Sequence, residues 1–134
     1  MVTIYQIGEK QVKIRVYYED TDAGGITYHS RYINFCERAR SEIFFERDMV
    51  PGEGSDSGFV VRNIKADFLA TSTLGDMLYV TSKILSQKSS SMVLLQEIFR
   101  EETKIFSMEV VLVYIENGRP RRIPEKFQII FDIF

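Results

Sequence analysis

Apolar and polar side chains alternate along the first regular stretch of the chain, from Gln11 to Tyr18. Alternation with a period of two is typical of a strand that buries one face. The predicted buried face comprises Val12, Ile14, Val16 and Tyr18. We therefore expect a strand that continues to Tyr18, preceded by a short strand or arm from Met1 to Lys10.

The hydrophobic period changes after Ser30 and becomes that of an amphipathic helix. Apolar residues then recur at three- and four-residue spacing, and they are Tyr32, Phe35, Cys36, Ala39 and Ile43. We expect a helix from Ser30 to Asp48, with Ser30 as its N-cap and Met49-Val50-Pro51-Gly52 as its stop signal. Cys36 lies on the apolar stripe, which favours a core residue over a nucleophile.

Only strands are predicted beyond the polar loop from Gly52 to Gly58. Their predicted ranges are Phe59 to Leu69, Leu74 to Gln87, Ser91 to Glu101 and Lys104 to Glu116. The last two connections are short enough for antiparallel hairpins, and Asn117-Gly118 closes the final strand. Because the stretch from Ile105 to Ile115 is apolar on nearly every residue, we expect both of its faces to be covered, one by the helix and one by a partner chain.

The order of these elements predicts a fold of the α+β class, in which a single helix lies against an antiparallel sheet. No linker or repeat interrupts the sequence, so residues 1–134 are expected to form a single domain. The tail carries apolar residues at helical spacing, which we expect to pack on the domain or on a partner subunit. They are Phe127, Ile130, Phe131 and Phe134.

Composition and charge narrow the classes of function. The formal net charge of −2 gives no reason to expect a nucleic-acid partner. A single cysteine excludes an intrachain disulfide framework and a cysteine-based zinc site. No apolar run approaches the length of about 18 residues that a membrane-spanning helix needs, and no signal peptide is evident. We therefore expect a cytoplasmic protein without an integral membrane segment.

The acidic turn between the first strand and the helix is the strongest candidate for chemistry. Asp22 precedes the Gly24-Gly25 pair, which lets backbone amides approach a ligand closely. The free N–H groups at the helix start, from Tyr28 to Arg31, can hydrogen-bond an oxyanion. A carboxylate facing such amides is the minimum equipment for hydrolysing an activated ester. An aspartate in this context more often caps a turn, and on the residues alone that interpretation is favoured.

Other candidate residues have ordinary explanations. His29 is the single histidine of the chain, so it cannot build a multi-histidine metal site. A nucleophile elbow of the type G-x-S-x-G is also missing, because Gly54-Ser55-Asp56-Ser57-Gly58 places an aspartate where the nucleophile belongs. Glu37 is the rival carboxylate, and we expect it to pair with Arg38 or Arg40 along the helix.

Two basic features could contact an anionic ligand. Lys88 lies in a hydroxyl-rich junction between predicted strands, where it could contact phosphate or belong to a polar hairpin. A dense positive patch lies near the C-terminus and comprises Arg119, Arg121 and Arg122. These charges suit one anionic ligand better than a nucleic-acid backbone, and a solvated surface cluster is their more ordinary explanation.

The run from Val16 to His29, which reads V-Y-Y-E-D-T-D-A-G-G-I-T-Y-H, resembles the signature of hotdog-fold acyl-CoA thioesterases. It continues as Arg31-Tyr32 and Glu37-Arg38-Ala39-Arg40, and it is most similar to the YbgC branch, the Tol-Pal-associated thioesterases related to 4-hydroxybenzoyl-CoA thioesterase. Gly75-Asp76 and the stretch from Gly118 to Pro124 support this resemblance. It implies a hotdog fold, in which a five-stranded antiparallel sheet wraps around one long central helix. It also implies homodimers or homotetramers with active sites at the subunit interface.

The resemblance further implies which residues carry the chemistry. Asp22 corresponds to the catalytic carboxylate, and the backbone N–H near His29 corresponds to the group that polarises the thioester carbonyl. Gly25, Ile26 and Tyr28 are implied as substrate contacts, with Tyr28 and His29 lining the acyl end. Supporting roles remain for the other acidic residues of the segment, which are Glu19, Asp20 and Glu37.

At the other end of the substrate, Lys88 and Ser90 match a hairpin that contacts the nucleotide part of coenzyme A in relatives. Ser89 and Ser90 nevertheless stand where some relatives have basic residues, and Ala70-Thr71-Ser72 replaces a more usual Pro-Ala turn. The implied substrate is acyl-CoA, acyl-carrier protein is a second candidate partner, and the implied reaction needs no metal and no cofactor. One alternative is a non-catalytic hotdog module that binds acyl-CoA or acyl-carrier protein. Another is a hotdog dehydratase, which the position of the single histidine disfavours.

Overall fold

The described part of the chain, residues 10–52 and 54–132 of a computed structural model, folds as one antiparallel sheet against a long helix. The predicted arm before Lys10 lies outside the described residues. The strands are β1 (Lys10–Arg15), β2 (Ser57–Phe68), β3 (Met77–Gln87), β4 (Ser91–Arg100), β5 (Thr103–Glu116) and β6 (Arg119–Pro120). The helices are α1 (His29–Phe45) and α2 (Gln128–Phe131), with 3₁₀ turns at Tyr18–Asp20 and Glu125–Phe127.

The strands follow the order β1-β3-β4-β5-β2 across the sheet, with the short β6 beside β5. Both predicted hairpins are present, because β3 pairs with β4 and β4 pairs with β5, each in antiparallel register. β2 does not join β3, its neighbour in sequence, and pairs instead with β5 at the far edge of the sheet. This arrangement, with the helix between β1 and β2 in the chain, confirms the predicted α+β class and the hotdog fold.

The core lies between α1 and the inner face of the sheet. The predicted apolar stripe of the helix is buried as expected, and with one addition it comprises Tyr32, Phe35, Cys36, Ala39, Ile43 and Phe44. Each large apolar side chain buried in this way contributes about 1.5–3 kcal/mol to folding. Since α1 has 17 residues, its axis is about 25 Å long at a rise of 1.5 Å per residue, which lets it lie across most of the sheet.

The first strand ends earlier than its alternating pattern predicts. β1 ends at Arg15, and Tyr18 is 82% exposed at the start of a 3₁₀ turn, so the prediction of a buried Tyr18 is wrong. The Asp20 carboxylate accepts a hydrogen bond from the N–H of Tyr17 at 2.9 Å. This local bond turns the chain away from the sheet, because a side-chain acceptor competes with the strand ladder for the backbone donor.

The helix is shifted toward the N-terminus relative to its prediction. Its N-cap is Tyr28 and not Ser30, since the Tyr28 N–H donates to the Asp20 carbonyl oxygen at 2.8 Å and holds Tyr28 in an extended conformation. α1 ends at Phe45, three residues before the predicted end at Asp48. Asp48 adopts a left-handed conformation with φ of 57°, which closes the helix before the proline is reached.

The C-terminal tail packs on the domain, as one of the two predicted arrangements requires. Phe127, Ile130 and Phe131 are buried, and the Phe127 ring lies 5.5 Å from that of Phe44 on α1. Phe134 lies outside the described residues. A partner chain over the outer face of β5 stays a prediction. None of the helices within the described ranges combines the length and the apolar character needed to cross a membrane.

Candidate active site

The loop that carries Asp22 is a closed, hairpin-like turn. Thr21 and Thr27 form an antiparallel bridge at its base, and the Asp22 N–H donates to the Ile26 carbonyl oxygen at 2.9 Å. At the tip, the Gly25 N–H donates to the Asp22 carbonyl oxygen at 3.0 Å while Gly25 has φ of 87°. A residue with a side chain would be strained at that φ, so the glycine allows the turn to close.

The Asp22 carboxylate caps this turn with one oxygen. Its Oδ1 accepts hydrogen bonds from the N–H groups of Gly24 at 2.8 Å and of Ile26 at 3.4 Å. Its Oδ2 has no hydrogen-bond partner within the described part of the chain, and the half-buried side chain lines a surface groove with Tyr18 and Leu74. The capping role and a chemical role are therefore compatible, because one oxygen fixes the carboxylate while the other has no hydrogen-bond partner in the described part of the chain.

The start of α1 presents open backbone donors beside this loop. The first N–H groups of a helix have no partner inside it. Here the N–H groups of Tyr28 and Arg31 donate to backbone oxygens, and no side chain caps the helix. The N–H groups of His29 and Ser30 have no partner among residues 10–52 and 54–132. These two donors, together with the positive end of the helix dipole, form a site for a developing negative charge.

A buried network of hydroxyl groups joins the loop to the helix and to the connection between β2 and β3. The Thr27 Oγ1 and Ser72 Oγ atoms are 2.6 Å apart, and the Tyr32 hydroxyl lies 2.9 Å from the same Ser72 oxygen. The Thr27 N–H also donates to the Ser72 carbonyl oxygen at 2.8 Å. Ser72 belongs to the segment that departs from the usual Pro-Ala turn, and its hydroxyl supplies the centre of this network.

Asp20 is a buried carboxylate that sequence reasoning placed only in a supporting role. It is 2% exposed, and its Oδ1 lies 3.6 Å from the Nε of Arg31 on the first turn of α1. Arg31 also donates through Nη2 to the Glu19 carbonyl oxygen at 3.2 Å. The sequence offers no signal for this pairing, since the two residues belong to different elements and neither lies on an apolar stripe.

An aromatic surface extends from the helix start to the edge strand. The rings of Tyr28 and His29 lie 4.5 Å apart, and the His29 ring meets the edge of Phe68 on β2 at 6.1 Å. Both Tyr28 and His29 are exposed. The structure thus places five predicted site residues in one region, which are Asp22, Gly25, Ile26, Tyr28 and His29.

Lys88 and Ser90 do not belong to that region within one protomer. The Val16 N–H bonds to the Asp76 carbonyl oxygen, which places the beginning of β3 at the Asp22 end of the sheet. Lys88 follows Gln87, the last residue of β3. Gln87 lies ten residues after Met77, which corresponds to a distance of about 33 Å at 3.3 Å per residue. The predicted coenzyme A contacts and the predicted catalytic carboxylate therefore lie at opposite ends of the same protomer.

The basic patch follows the Lys88 hairpin rather than the Asp22 loop. The Ile123 N–H donates to the Ser89 carbonyl oxygen at 2.9 Å, which ties the segment after β6 to that hairpin. Arg121 forms an exposed ion pair with Glu116 at 2.8 Å. The arginines thus gather at the hairpin end of the protomer, where an anionic ligand of Lys88 would lie.

The rival carboxylate has a local partner. The Ser41 hydroxyl donates to Glu37 at 2.5 Å, and no close ion pair joins Glu37 to Arg38 or Arg40 within the described ranges. Of the predicted pairing, only a longer-range attraction is present, in which the Glu37 charge raises the pKa of Arg40 against the effect of burial. Arg40 instead donates to the buried Gln96 side chain at 3.1 Å. The amide oxygen of Gln96 is thus the acceptor for Arg40, in the place of a carboxylate.

Cys36 is the buried neighbour of this polar contact. The Gln96 Nε2 donates to the Cys36 carbonyl oxygen at 2.9 Å, and the cysteine is fully buried. Burial raises the pKa of the Cys36 thiol to about 12, while the Arg40 charge opposes the rise. Burial likewise lowers the pKa of Arg40. The thiol therefore stays protonated at neutral pH, which confirms Cys36 as a core residue and not a nucleophile.

The sequence profile of the thioesterase superfamily matches residues 24–107, more than half of the chain. The chain belongs to the thioesterase superfamily. The match begins two residues beyond Asp22, so the family assignment does not depend on that residue. The predicted class of enzyme, a thioester hydrolase, is confirmed at this level.

Individual relatives agree with the superfamily assignment. The chain is 37% identical over 128 residues to the acyl-CoA thioesterase YbgC of Helicobacter pylori, with 87% of this chain and 96% of that protein covered. It is 38% identical over 119 residues to the acyl-CoA thioester hydrolase YbgC of Escherichia coli, with 84% and 87% covered. A probable thioesterase from Bartonella henselae superposes with a TM-score of 0.79 at 29% identity, over 85% of this chain and 98% of that one. The resemblance to the YbgC branch is thus confirmed.

The burial of Cys36 predicts an unreactive thiol in this thioesterase. At about pH 8, close to the pKa of an ordinary cysteine, the native protein should react with a disulfide reagent such as dithiobisnitrobenzoate far more slowly than the same protein unfolded in guanidinium chloride. The measurement is the rate of chromophore release in both states. Equal rates in both states would show that the thiol is accessible and contradict its placement in the core.

Proposed function

We propose that this thioesterase hydrolyses acyl-CoA to a free acid and coenzyme A, with Asp22 as nucleophile or general base and the start of α1 as the oxyanion site. The observation that carries the proposal is the closed Asp22 loop, in which Oδ1 of the carboxylate is bound within the turn while the N–H groups of His29 and Ser30, which follow the loop along the chain, are open. The choice of acyl-CoA rests on the names of the two YbgC relatives.

The amide donors serve the transition state. When the thioester carbonyl is attacked, its oxygen gains negative charge, and the N–H groups of His29 and Ser30 can donate to it without rearrangement. A single donor of this kind is typically worth about a hundredfold to a thousandfold in rate. His29 would act through its backbone, while its exposed ring, with that of Tyr28, lines the acyl end of the site.

The Asp22 carboxylate supplies the attack on the carbonyl carbon. In one route, Asp22 bonds to that carbon, the carbon–sulfur bond breaks, and water then hydrolyses the resulting anhydride. In the other, Asp22 takes a proton from water, whose oxygen attacks the same carbon. Both routes consume one water and release the acid and the coenzyme A thiol. Gly25 and Ile26 border the carboxylate, so they would contact the substrate next to the reacting bond.

A second copy of the chain would complete the site. β2 is an edge strand with no strand partner on its outer side within the described residues, and it exposes Val60, Val61 and Phe68 along its length, followed by the exposed Leu69. Exposed apolar strand edges readily pair with another chain. The Ser57 end of β2 lies on the side of the Lys88 hairpin, since Gly58 pairs with Ile115 and Ser91 pairs with Val113.

Antiparallel pairing of two β2 strands about a two-fold axis therefore places opposite ends of two protomers together. The Phe68 end, which His29 contacts, would face the Lys88 end of the second copy. Lys88 and Ser90 of one copy would then hold the nucleotide part of the substrate whose thioester lies at Asp22 of the other. This homodimer accounts for the wide separation of the predicted site residues within one protomer.

Replacing Asp22 tests the catalytic assignment. The Asp22→Asn variant keeps the size of the side chain and a capping oxygen but loses the charge, so kcat for acyl-CoA hydrolysis should fall by about a hundredfold to ten-thousandfold. Binding of a non-hydrolysable acyl-CoA analogue should change little. The measurement is thiol release from a panel of acyl-CoA esters, with the exposed Asp56→Asn as the matched control.

Full activity of Asp22→Asn would end the assignment of Asp22. A wild-type protein that binds acyl-CoA tightly and releases no thiol would instead support the non-catalytic binding module.

Mixed dimers test whether the site is shared between subunits. One chain carries Asp22→Asn and the other Lys88→Glu, and the two are co-expressed with different tags so that only heterodimers are purified. If the site is shared, each heterodimer contains one intact site and one doubly altered site, because each active site draws the two positions from different chains. Its kcat/KM should then be about half that of the wild type, as two-fold symmetry requires.

The two parental homodimers serve as controls, and each should be defective. A heterodimer with only about half the kcat/KM of the Lys88→Glu homodimer would place both residues in one subunit's site, because each of its two sites would then carry one substitution. A Lys88→Glu homodimer with wild-type KM would remove Lys88 from the proposed site altogether.

A further inference from the structure

We infer that Asp20 and Arg31 are positioning residues, which hold the helix start and the Asp22 loop in the geometry that thioester hydrolysis requires. The inference rests on the proposed function. Asp20 and Arg31 contact the backbone of the Asp22 loop and of the start of α1, and they would make no contact with the reacting atoms.

Asp20 binds three parts of the site at once. Its Oδ2 accepts a hydrogen bond from the Tyr17 N–H at 2.9 Å, and at this bond the chain turns away from the strand. Its carbonyl oxygen accepts from the Tyr28 N–H at 2.8 Å, which joins the base of the loop to the helix N-cap. Its Oδ1 lies 3.6 Å from the Arg31 Nε. Since Asp20 is held by these three contacts and lies two positions before Asp22, it fixes the point at which the Asp22 loop begins.

The charge of Asp20 is not needed for its hydrogen bond. An asparagine could accept from the same Tyr17 N–H without the cost of burying an ion. The carboxylate is 2% exposed, and its Oδ1 receives no hydrogen bond within the described part of the chain. Burying a carboxylate is favourable only when a counter-charge compensates for the lost hydration. The compensating group in the structure is the Arg31 guanidinium.

Arg31 is unfavourably placed without Asp20. It is the third residue of α1, where the helix dipole disfavours a cation by about 0.3–1 kcal/mol. Asp20 and the Glu19 carbonyl oxygen offset this by binding its Nε and Nη2. The ion pair therefore keeps a full positive charge at the end of the helix where the thioester oxygen becomes negative, without occupying the N–H groups of His29 and Ser30.

The fold does not depend on this ion pair alone. The Thr27–Ser72–Tyr32 network anchors the far side of the same loop, and the apolar face of α1 anchors the helix to the sheet. We therefore expect loss of the Asp20 charge to leave the protein folded while the loop and the first helical turn lose their fixed relation. Displacements of about 1 Å in a catalytic site can cost a hundredfold in rate.

The test is a double-mutant cycle on acyl-CoA hydrolysis. Asp20→Asn and Arg31→Gln should each lower kcat by about tenfold to a hundredfold, with KM changed far less and with unaltered circular dichroism. The double variant should be no slower than the slower single variant, because the pair acts as a unit. Arg31→Lys, which keeps the charge, should recover most of the loss seen in Arg31→Gln.

The matched control is Glu97→Gln, which removes the carboxylate of the half-buried Glu97–Lys104 pair, 2.7 Å apart, and should leave kcat unchanged. A folded Asp20→Asn with wild-type kcat would overturn the inference, and so would fully additive losses in the double variant. If Asp20→Asn does not fold, equal kcat in Arg31→Gln and the wild type overturns it. A wild-type protein without thioesterase activity would overturn both proposals. If Asp22→Asn is inactive and Asp20→Asn is fully active, only the positioning role of Asp20 and Arg31 is overturned.

Discussion

The hydrogen bond from the Tyr28 N–H to the Asp20 carbonyl oxygen, 2.8 Å long, is the constraint on which the site depends. It fixes the residue at which α1 begins and brings the two ends of the Asp22 loop together. Because it uses the Tyr28 donor, and Arg31 donates to Tyr28, the open donors of the helix are those of His29 and Ser30. A one-residue shift of this bond would move the proposed oxyanion site relative to Asp22.

The apolar core and this polar contact have separate tasks. Burial of the α1 stripe against the sheet fixes the axis of the helix, but apolar contacts permit small rotations and translations at modest cost. The directional bonds made by Asp20, Thr27 and Ser72 fix the position of the helix start to a fraction of an ångström. A hotdog domain can thus keep its fold under many core substitutions, while the proposed chemistry would depend on a few buried polar groups at one end of the helix.

The sequence predicted the elements whose signals are local and periodic. The stripe of α1 and the existence of the strands β2 to β5 were predicted correctly, since burial of one face imposes a regular spacing, although β3 begins at Met77 and not at the predicted Leu74. The end of β1 and the start of α1 were misplaced, because each is decided by a bond to Asp20 that no periodicity reflects. The family resemblance made Asp22 the catalytic candidate, because the residues around it alone favoured a turn cap. In the structure, Asp22 does cap its turn. The separation of Lys88 from Asp22 depends on strand order, which the pattern of single strands does not contain.

The central claim is that the backbone donors of His29 and Ser30 receive the thioester oxygen. It is tested most directly by nitrogen–proton correlation spectra of the labelled protein, titrated with an acyl-CoA analogue in which a methylene group replaces the thioester sulfur. The amide protons of His29 and Ser30 should shift strongly downfield on binding, while those of Tyr28 and Arg31, already bonded within the protein, should move little. Saturable binding that leaves the His29 and Ser30 amides unshifted would contradict it.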